Sequence, residues 1–291
     1  MTTRSYWYYP GCSSHASARD YRQSVALISS ALGLDLVELE DWSCCGTTAM
    51  TSVEPRLSVV LSARNLALAE EAGGEADLVV TCNSCFATLR RAQEQYTTRQ
   101  EVRAEVDEAL AAIGRRYRGT VRVRHLLDVL VNDVGPDAVR ERVRRPLSGL
   151  RLAPYYGCLL GRPRNDFEDP EEPLSMDRLL EATGATVVKF DRKSKCCGGA
   201  LITTHEEAAL LLVKEILSEA VARGAQAVVT ACPMCQFNLD AYQARVNAAF
   251  GTRLRIPVIY FSQAVGLSLG FGASELGLGQ RFVPAEGVVN L

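Results

Sequence analysis

Asp77-Leu-Val-Val-Thr-Cys-Asn-Ser-Cys85 and Ala227-Val-Val-Thr-Ala-Cys-Pro-Met-Cys235 share one pattern: a short apolar run that ends on a C-x2-C loop. A continuous apolar run of this length, rich in valine and closed by turn residues, reads as a strand buried on both faces. Working outward, each pair has the same companions. Cys12 and the vicinal pair Cys44-Cys45 precede Cys82 and Cys85; Cys158 and Cys196-Cys197 precede Cys232 and Cys235. Those ten are all the cysteines of the 291-residue chain, and the five offsets between the sets are 146, 152, 152, 150 and 150 residues. A period this constant marks an internal repeat.

The flanks repeat as well. Ser5-Tyr-Trp-Tyr-Tyr-Pro-Gly-Cys12 answers Leu152-Ala-Pro-Tyr-Tyr-Gly-Cys158, again as strands that run into a cysteine loop. Helical periodicity separates the strands, at about 16–32 and 56–72 in the first half and 176–182 and 206–222 in the second. Along the last, Leu210, Val213, Leu217, Ala220 and Val221 share a face and Gly224 stops the helix. A further strand and helix close each half, at 121–130 and 256–269. Strands alternating with helices predict parallel sheets with right-handed crossovers. The expected fold is therefore α/β: two tandem, pseudo-symmetric, Rossmann-like cysteine-rich domains over 1–147 and 148–291. In such sheets ligands collect beyond the carboxyl ends of the strands, so three loops in each half are expected to deliver five thiols to one place.

Two stretches have no clear partner in the repeat. In residues 94–146, with Arg and Glu clustered around 104–113, the first part reads as a solvated amphipathic helix with a structural or linking role, the sharper alternative being a docking surface for another subunit. The tail after Gly270 carries a short helical signal over 274–278.

A net charge of −2 and a pI near 6.0 imply no bulk attraction for nucleic acid or anionic lipid. No basic-then-apolar leader opens the chain, and no apolar run approaches the roughly 20 residues of a spanning helix. A cytoplasmic protein is the expectation. In a reducing compartment clustered cysteines hold metal more often than they form disulfides. Bridging neighbours such as Cys44 and Cys45 closes a strained ring, and tetrahedral zinc leaves one thiolate too many in each set. Iron–sulfur clusters use cysteine thiolates and contain several irons, so five ligands fit an unusual or open cluster. The physics stops at that choice.

The spacing Cys12-x31-Cys44-Cys45-Gly46-x35-Cys82-x2-Cys85, with Cys158-x37-Cys196-Cys197-Gly198-Gly199-x32-Cys232-Pro-Met-Cys235, resembles the paired cysteine-rich CCG domains of the heterodisulfide reductase B subunit. So do Tyr9-Pro-Gly-Cys-Ser13, Leu36-Val-Glu-Leu-Glu-Asp-Trp-Ser-Cys-Cys-Gly46 and Ala231-Cys-Pro-Met-Cys-Gln-Phe-Asn-Leu-Asp240. The resemblance covers essentially the whole chain. It implies that each pentad ligates a noncubane [4Fe-4S] cluster, making all ten cysteines ligands, and that the two clusters face a shared cavity where a disulfide is cleaved. It also implies an electron donor, the ferredoxin-like C subunit, and further upstream a flavin-bearing A subunit. The sequence is consistent with a borrowed electron supply: it contains neither a G-x-G-x-x-G after a strand nor a G-x4-G-K-[ST].

Cleaving a disulfide takes two electrons, whereas a cluster passes one at a time; a pair of clusters removes that mismatch. Glycines behind each vicinal pair allow close wrapping and aim N–H groups at sulfur, against the plainer reading of a tight turn. His15 and His205 are the candidate proton donors, against surface or capping roles. Lys193 and Lys195 either raise the potential beside Cys196 or form a solvated basic loop. His125, matched by Tyr260 at a strand-to-helix junction, reads as structural. The rival function is a non-catalytic iron–sulfur electron-transfer subunit in a quinone-linked succinate or lactate oxidising complex.

Overall fold

A computed structural model describes residues 3–73, 77–163 and 165–289. Among the described residues eight strands form two parallel sheets. The first holds β1 (Arg4–Tyr9), β2 (Leu34–Glu38), β3 (Leu78–Val80) and β4 (Val123–His125) in the order β2-β1-β3-β4. The second holds β5 (Arg151–Tyr155), β6 (Thr186–Val187), β7 (Ala227–Thr230) and β8 (Val258–Tyr260) in the order β6-β5-β7-β8. Adding four to each strand number turns one order into the other, so the repeat extends to topology. Parallel neighbours need crossovers long enough to carry helices, and helices occupy the intervals between strands.

The centre of each sheet is apolar for the reason the sequence suggests. Leu78, Val79 and Val80 of β3, and Ala227, Val228 and Val229 of β7, are fully buried, each Val or Leu contributing about 1.5–3 kcal/mol through burial. Proline in the centre of a sheet is ordinarily excluded, yet Pro154 lies in β5. β6 pairs only with Arg151 and Leu152, and Val188 N–H closes the ladder on the Leu152 carbonyl. Among the described residues the β6 ladder does not extend to Pro154, which lacks the N–H it would need there.

The chain divides into two compact units that interleave in sequence: Met1–Cys12 with Gly33–Leu126, and Ser13–Leu32 with Leu127–Leu291. The helix Arg19–Ala31, which links β1 to β2, thus packs in the second unit. There Tyr21 stacks on Tyr260 at 4.0 Å, Ser24 Oγ lies 2.7 Å from Ser262 Oγ, and Asp20 pairs with Arg281. The helices Pro55–Glu71 and Glu206–Ala222 lie close to the positions expected for them. Gln100–Ala111 is the amphipathic helix of the intervening stretch, burying Val106 and Leu110. The helical signal over 274–278 is realised as a series of turns instead. Gly277, at φ +69°, breaks it, and a Cβ there would meet Asp20 Cβ at 2.5 Å.

Candidate functional site

The three cysteine-bearing loops of each half leave adjacent strands. In the first sheet they follow β1, β2 and β3; in the second they follow β5, β6 and β7. Strand order reverses direction at β1/β3 and at β5/β7, and the carboxyl ends flanking such a switch point form the natural ligand crevice of an open parallel sheet. Sulfurs far apart in sequence therefore meet. Cys45 Sγ lies 3.5 Å from Cys85 Sγ, and Cys197 Sγ 3.4 Å from Cys235 Sγ. Cys12 is hydrogen-bonded to Cys44, and Cys158 to Cys196; Cys82 and Cys232 are hydrogen-bonded to Cys85 and Cys235. All ten predicted cysteines fall into these two sets, and none is in a disulfide.

Local structure explains the placement. Cys82 caps the helix Asn83–Thr98 in an extended conformation, and Cys85 stands in its first turn; Cys232 and Cys235 do the same for Pro233–Ala241. The C-x2-C spacing thus straddles a helix start, whose free N–H groups and positive dipole end favour thiolate, a tendency that the neighbouring sulfurs and burial outweigh at Cys85 and Cys235. The vicinal pairs turn through glycines in the left-handed region: Gly46 at φ +79° and Gly198 at φ +78°. Their N–H groups point at sulfur, Gly46 to Cys44 Sγ at 3.5 Å and Gly198 to Cys196 Sγ at 3.3 Å. Gly199 adds a third, to Cys197 Sγ at 3.4 Å. A second pair of glycines, Gly11 at φ +74° and Gly157 at φ +68°, lies against the C-x2-C sulfurs. A Cβ there would stand 3.1 Å from Cys85 Sγ and 3.2 Å from Cys235 Sγ.

In both sets the first cysteine of the vicinal pair is lowered. Hydrogen bonds from Cys12 and Cys45 hold the Cys44 thiol down to about 2, while Cys45 is pushed up to about 12 by Cys44. A hydrogen bond from Cys158, with help from Gly198 N–H, lowers Cys196 to about 6. Cys12, Cys85, Cys158 and Cys235 are driven upward by bonded sulfur neighbours and burial. Cys44 and Cys196 are the sulfurs held low; deprotonating the neighbours that are pushed up crowds like charges together and calls for a multivalent cation.

Among the described residues no three His, Cys, Asp or Glu side chains surround one point at the spacing of a single metal ion. The donor set itself, five thiols backed by N–H groups and by glycines that leave no Cβ against the sulfurs, fits an iron–sulfur group, whose ligands are thiolates tuned by N–H hydrogen bonds. Cys12, Cys44 and Cys196 are exposed and Cys158 half-buried, whereas the other six are buried. Each set therefore has a solvent face and a protein face.

The remaining candidates are more scattered. His15 is exposed at the end of the short helix Cys12–His15. His205 is also exposed, caps the helix Glu206–Ala222 and has Nδ1 3.1 Å from Thr204 Oγ1. Lys193 is engaged: its Nζ donates to the Pro173 carbonyl, lies 3.5 Å from Asp177 and sits over the Tyr156 ring. Lys195 is exposed beside Cys196. His125 is fully buried with its ring edge-on to Phe86.

Sequence reasoning overlooks the residues that strap the vicinal pairs. Tyr9 O–H donates to the Ser43 carbonyl at 2.8 Å, and Ser62 Oγ–H to the Cys45 carbonyl at 2.9 Å. In the second half Tyr155 O–H donates to the Lys195 carbonyl at 2.6 Å, and Asn238 Nδ2–H to the Cys197 carbonyl at 2.6 Å. Burial and then the surrounding sulfurs hold both phenols well above the usual tyrosine range, so each keeps its proton. One signal was available: the offset of 146 residues that relates Cys12 to Cys158 also relates Tyr9 to Tyr155.

Comparison with known proteins agrees with this geometry. The CCG cysteine-rich domain matches twice, over residues 6–90 and 152–240. The 8-methylmenaquinol:fumarate reductase membrane anchor subunit of Wolinella succinogenes is 36% identical over 97% of this chain and 98% of its own. A protein of Archaeoglobus profundus described as like the heterodisulfide reductase B subunit is 36% identical over 93% of this chain and 92% of its own. The B subunit of the ferredoxin:CoB-CoM heterodisulfide reductase of Methanosarcina mazei is 34% identical over 90% and 88%. A hypothetical protein from Helicobacter pylori shares the fold, with a TM-score of 0.77 at 14% identity over 97% of this chain and 52% of that one. With two complete cysteine sets and relatives aligned along nearly its whole length, the chain belongs to the family of paired CCG-domain proteins that includes the heterodisulfide reductase B subunits.

Proposed function

We propose that this chain is the B subunit of a heterodisulfide-reductase-like complex, holding two noncubane [4Fe-4S] clusters and reducing, or forming, a disulfide. The observation that carries the reading is the complete five-thiol set at the carboxyl ends of three adjacent strands, present twice. Bound there, two clusters supply electrons singly, and two such electrons with two protons convert one disulfide into two thiols. Cys12, Cys44, Cys45, Cys82 and Cys85 hold one group; Cys158, Cys196, Cys197, Cys232 and Cys235 hold the other. The exposed Cys12, Cys44 and Cys196 mark the faces that a substrate reaches. Gly46, Gly198 and Gly199 N–H groups offset negative charge on sulfur. Protons come from solvent or from the exposed His15 and His205. Electrons enter through a ferredoxin-like C subunit, which a flavin-bearing A subunit supplies in turn.

A second reading, an electron-transfer subunit of a quinone-linked complex, is favoured by the Wolinella relative, which is named as a quinol:fumarate reductase membrane anchor. Among the described residues no helix is long and apolar enough to cross a membrane, and we place the protein in the cytoplasm. Anaerobic purification with iron and sulfide analysis, then EPR during titration with disulfides and with quinol analogues, separates the readings. A disulfide-dependent change in the EPR signal supports the first; a response confined to quinol supports the second. Protein without iron sinks both.

A further inference from the structure

Tyr9 and Tyr155 are the last residues of β1 and β5, three positions ahead of the first cysteine of each set. Each is fully buried, and each phenol reaches across to the carbonyl immediately ahead of the vicinal pair, Ser43 for Tyr9 and Lys195 for Tyr155. Such a carbonyl belongs to the peptide plane whose other end is the nitrogen of Cys44 or Cys196. Two residues further on stand the glycine amides aimed at the sulfurs of those same cysteines. Anchoring that plane fixes the direction in which the loop sets out. On the far side of each pair the Cys45 and Cys197 carbonyls are also held, by Ser62 and Asn238. Each vicinal pair is thus pinned at both ends.

We propose that Tyr9 and Tyr155 are positioning residues: their hydroxyls lock the vicinal-pair loops so that Gly46 and Gly198 N–H stay directed at Cys44 and Cys196 Sγ, and thereby set the reduction potential of the group those sulfurs hold. This rests on the iron–sulfur reading above. Hydrogen bonds to cluster sulfur stabilise the more negative, reduced form and raise the potential. Loosening the loop lowers it. The two halves differ in degree. The Ser43 carbonyl also accepts from Asn65 Nδ2 at 3.0 Å, and Asn65 Oδ1 accepts from Ser43 N–H at 2.8 Å. Among the described residues the Lys195 carbonyl is held by Tyr155 alone. Loss of the Tyr155 hydroxyl therefore has the larger effect.

Neighbouring tyrosines supply controls for a merely structural role. Tyr156 is as buried as Tyr155, but its hydroxyl donates to Asp177; Tyr8 is buried with its hydroxyl 3.3 Å from Thr81 Oγ1. The test compares Tyr155→Phe, Tyr9→Phe, Tyr156→Phe and Tyr8→Phe in the full-length chain, purified anaerobically. Iron and sulfide content, circular dichroism and EPR-monitored potentiometric titration are the readouts. The expected result is a negative shift of one EPR component in Tyr155→Phe, a smaller one of the other component in Tyr9→Phe, and unshifted potentials in both controls. Loss of iron in Tyr155→Phe with an unchanged dichroism spectrum, while Tyr156→Phe keeps its iron, supports the proposal equally. Unmoved potentials at full iron content overturn it, as does an equal effect of the controls. Wild-type protein devoid of iron sinks the iron–sulfur reading itself, a different failure from a wild type with clusters and unresponsive tyrosines.

Discussion

Cys44 and Cys196 show how immediate neighbours set a single residue apart. Each is the first of a vicinal pair, exposed, and held low by a neighbouring thiol and a glycine N–H, whereas the buried Cys85 and Cys235 are pushed up. Because the two sets share no cysteine, losing one should leave the other filled. Cys197→Ser is expected to lower iron content by roughly half and to abolish two-electron disulfide turnover, checked by iron analysis and a disulfide reduction assay. A variant with full disulfide activity and half its iron would contradict the paired one-electron scheme. The glycines behave less uniformly. Gly198→Ala puts a Cβ 2.9 Å from Ala209 Cα in a left-handed conformation; Gly251→Ala, at φ +64°, meets nothing within 4 Å. The left-handed backbone alone costs about 1–2 kcal/mol. Urea unfolding of the apo-protein should show about that loss for Gly251→Ala and a clearly larger one for Gly198→Ala.

At the scale of elements, the helix Arg19–Ala31 is fastened by a buried polar cluster. Arg281 pairs with Asp20, and both are almost fully buried; Gln263 donates to Asp20 at 3.1 Å and to the Leu276 carbonyl at 2.9 Å. Burial raises Asp20 and Arg281 opposes that rise. Removing one partner strands the other charge, which costs about 3–5 kcal/mol, whereas replacing both by apolar or neutral groups of similar volume is much milder. Arg281→Ala should therefore destabilise the protein by that amount in chemical denaturation, and Asp20→Asn with Arg281→Met should recover a large part of it. The same cluster orders the C-terminal stretch, since Asp240 accepts from the Phe282 N–H at 2.9 Å and from the Val283 N–H at 3.3 Å.

For the whole molecule, the division into units matters more than the repeat. Ser13–Leu32 packs in the unit that carries the second sheet. Without that segment Tyr260 loses its stacking partner Tyr21, and Arg281 loses Asp20. A fragment of residues 148–291 is therefore expected to be poorly folded. A fusion that restores residues 13–32 and 127–147 should show cooperative thermal unfolding by circular dichroism. A cooperative 148–291 fragment as stable as the fusion would refute the assignment.

The cysteine pattern, the strand-to-loop junctions and the alternation of elements were legible because each is local or strictly periodic. Leu78-Val-Val and Ala227-Val-Val are buried on both faces and so read as apolar runs, and a C-x2-C that follows a strand has one place to go, the helix start. The ten candidate ligands could be named for that reason. Three things were decided only in three dimensions. Gly277, at φ +69°, ended a helical signal in turns, and Asp20 packs so close that only glycine fits there. Lys193 was absorbed by Asp177 and the Pro173 carbonyl, partners that lie 16 and 20 residues away and have no periodic relation to it. The helix Arg19–Ala31 found its partners more than 200 residues away, at Tyr260, Ser262, Gln263 and Arg281. Sequence by itself determined the sheets and the thiol sets, because their information lies in neighbouring residues and a constant repeat. The compact units and the straps on the vicinal pairs required the tertiary structure, because buried hydrogen bonds and side-chain packing between distant segments leave no periodic trace along the chain.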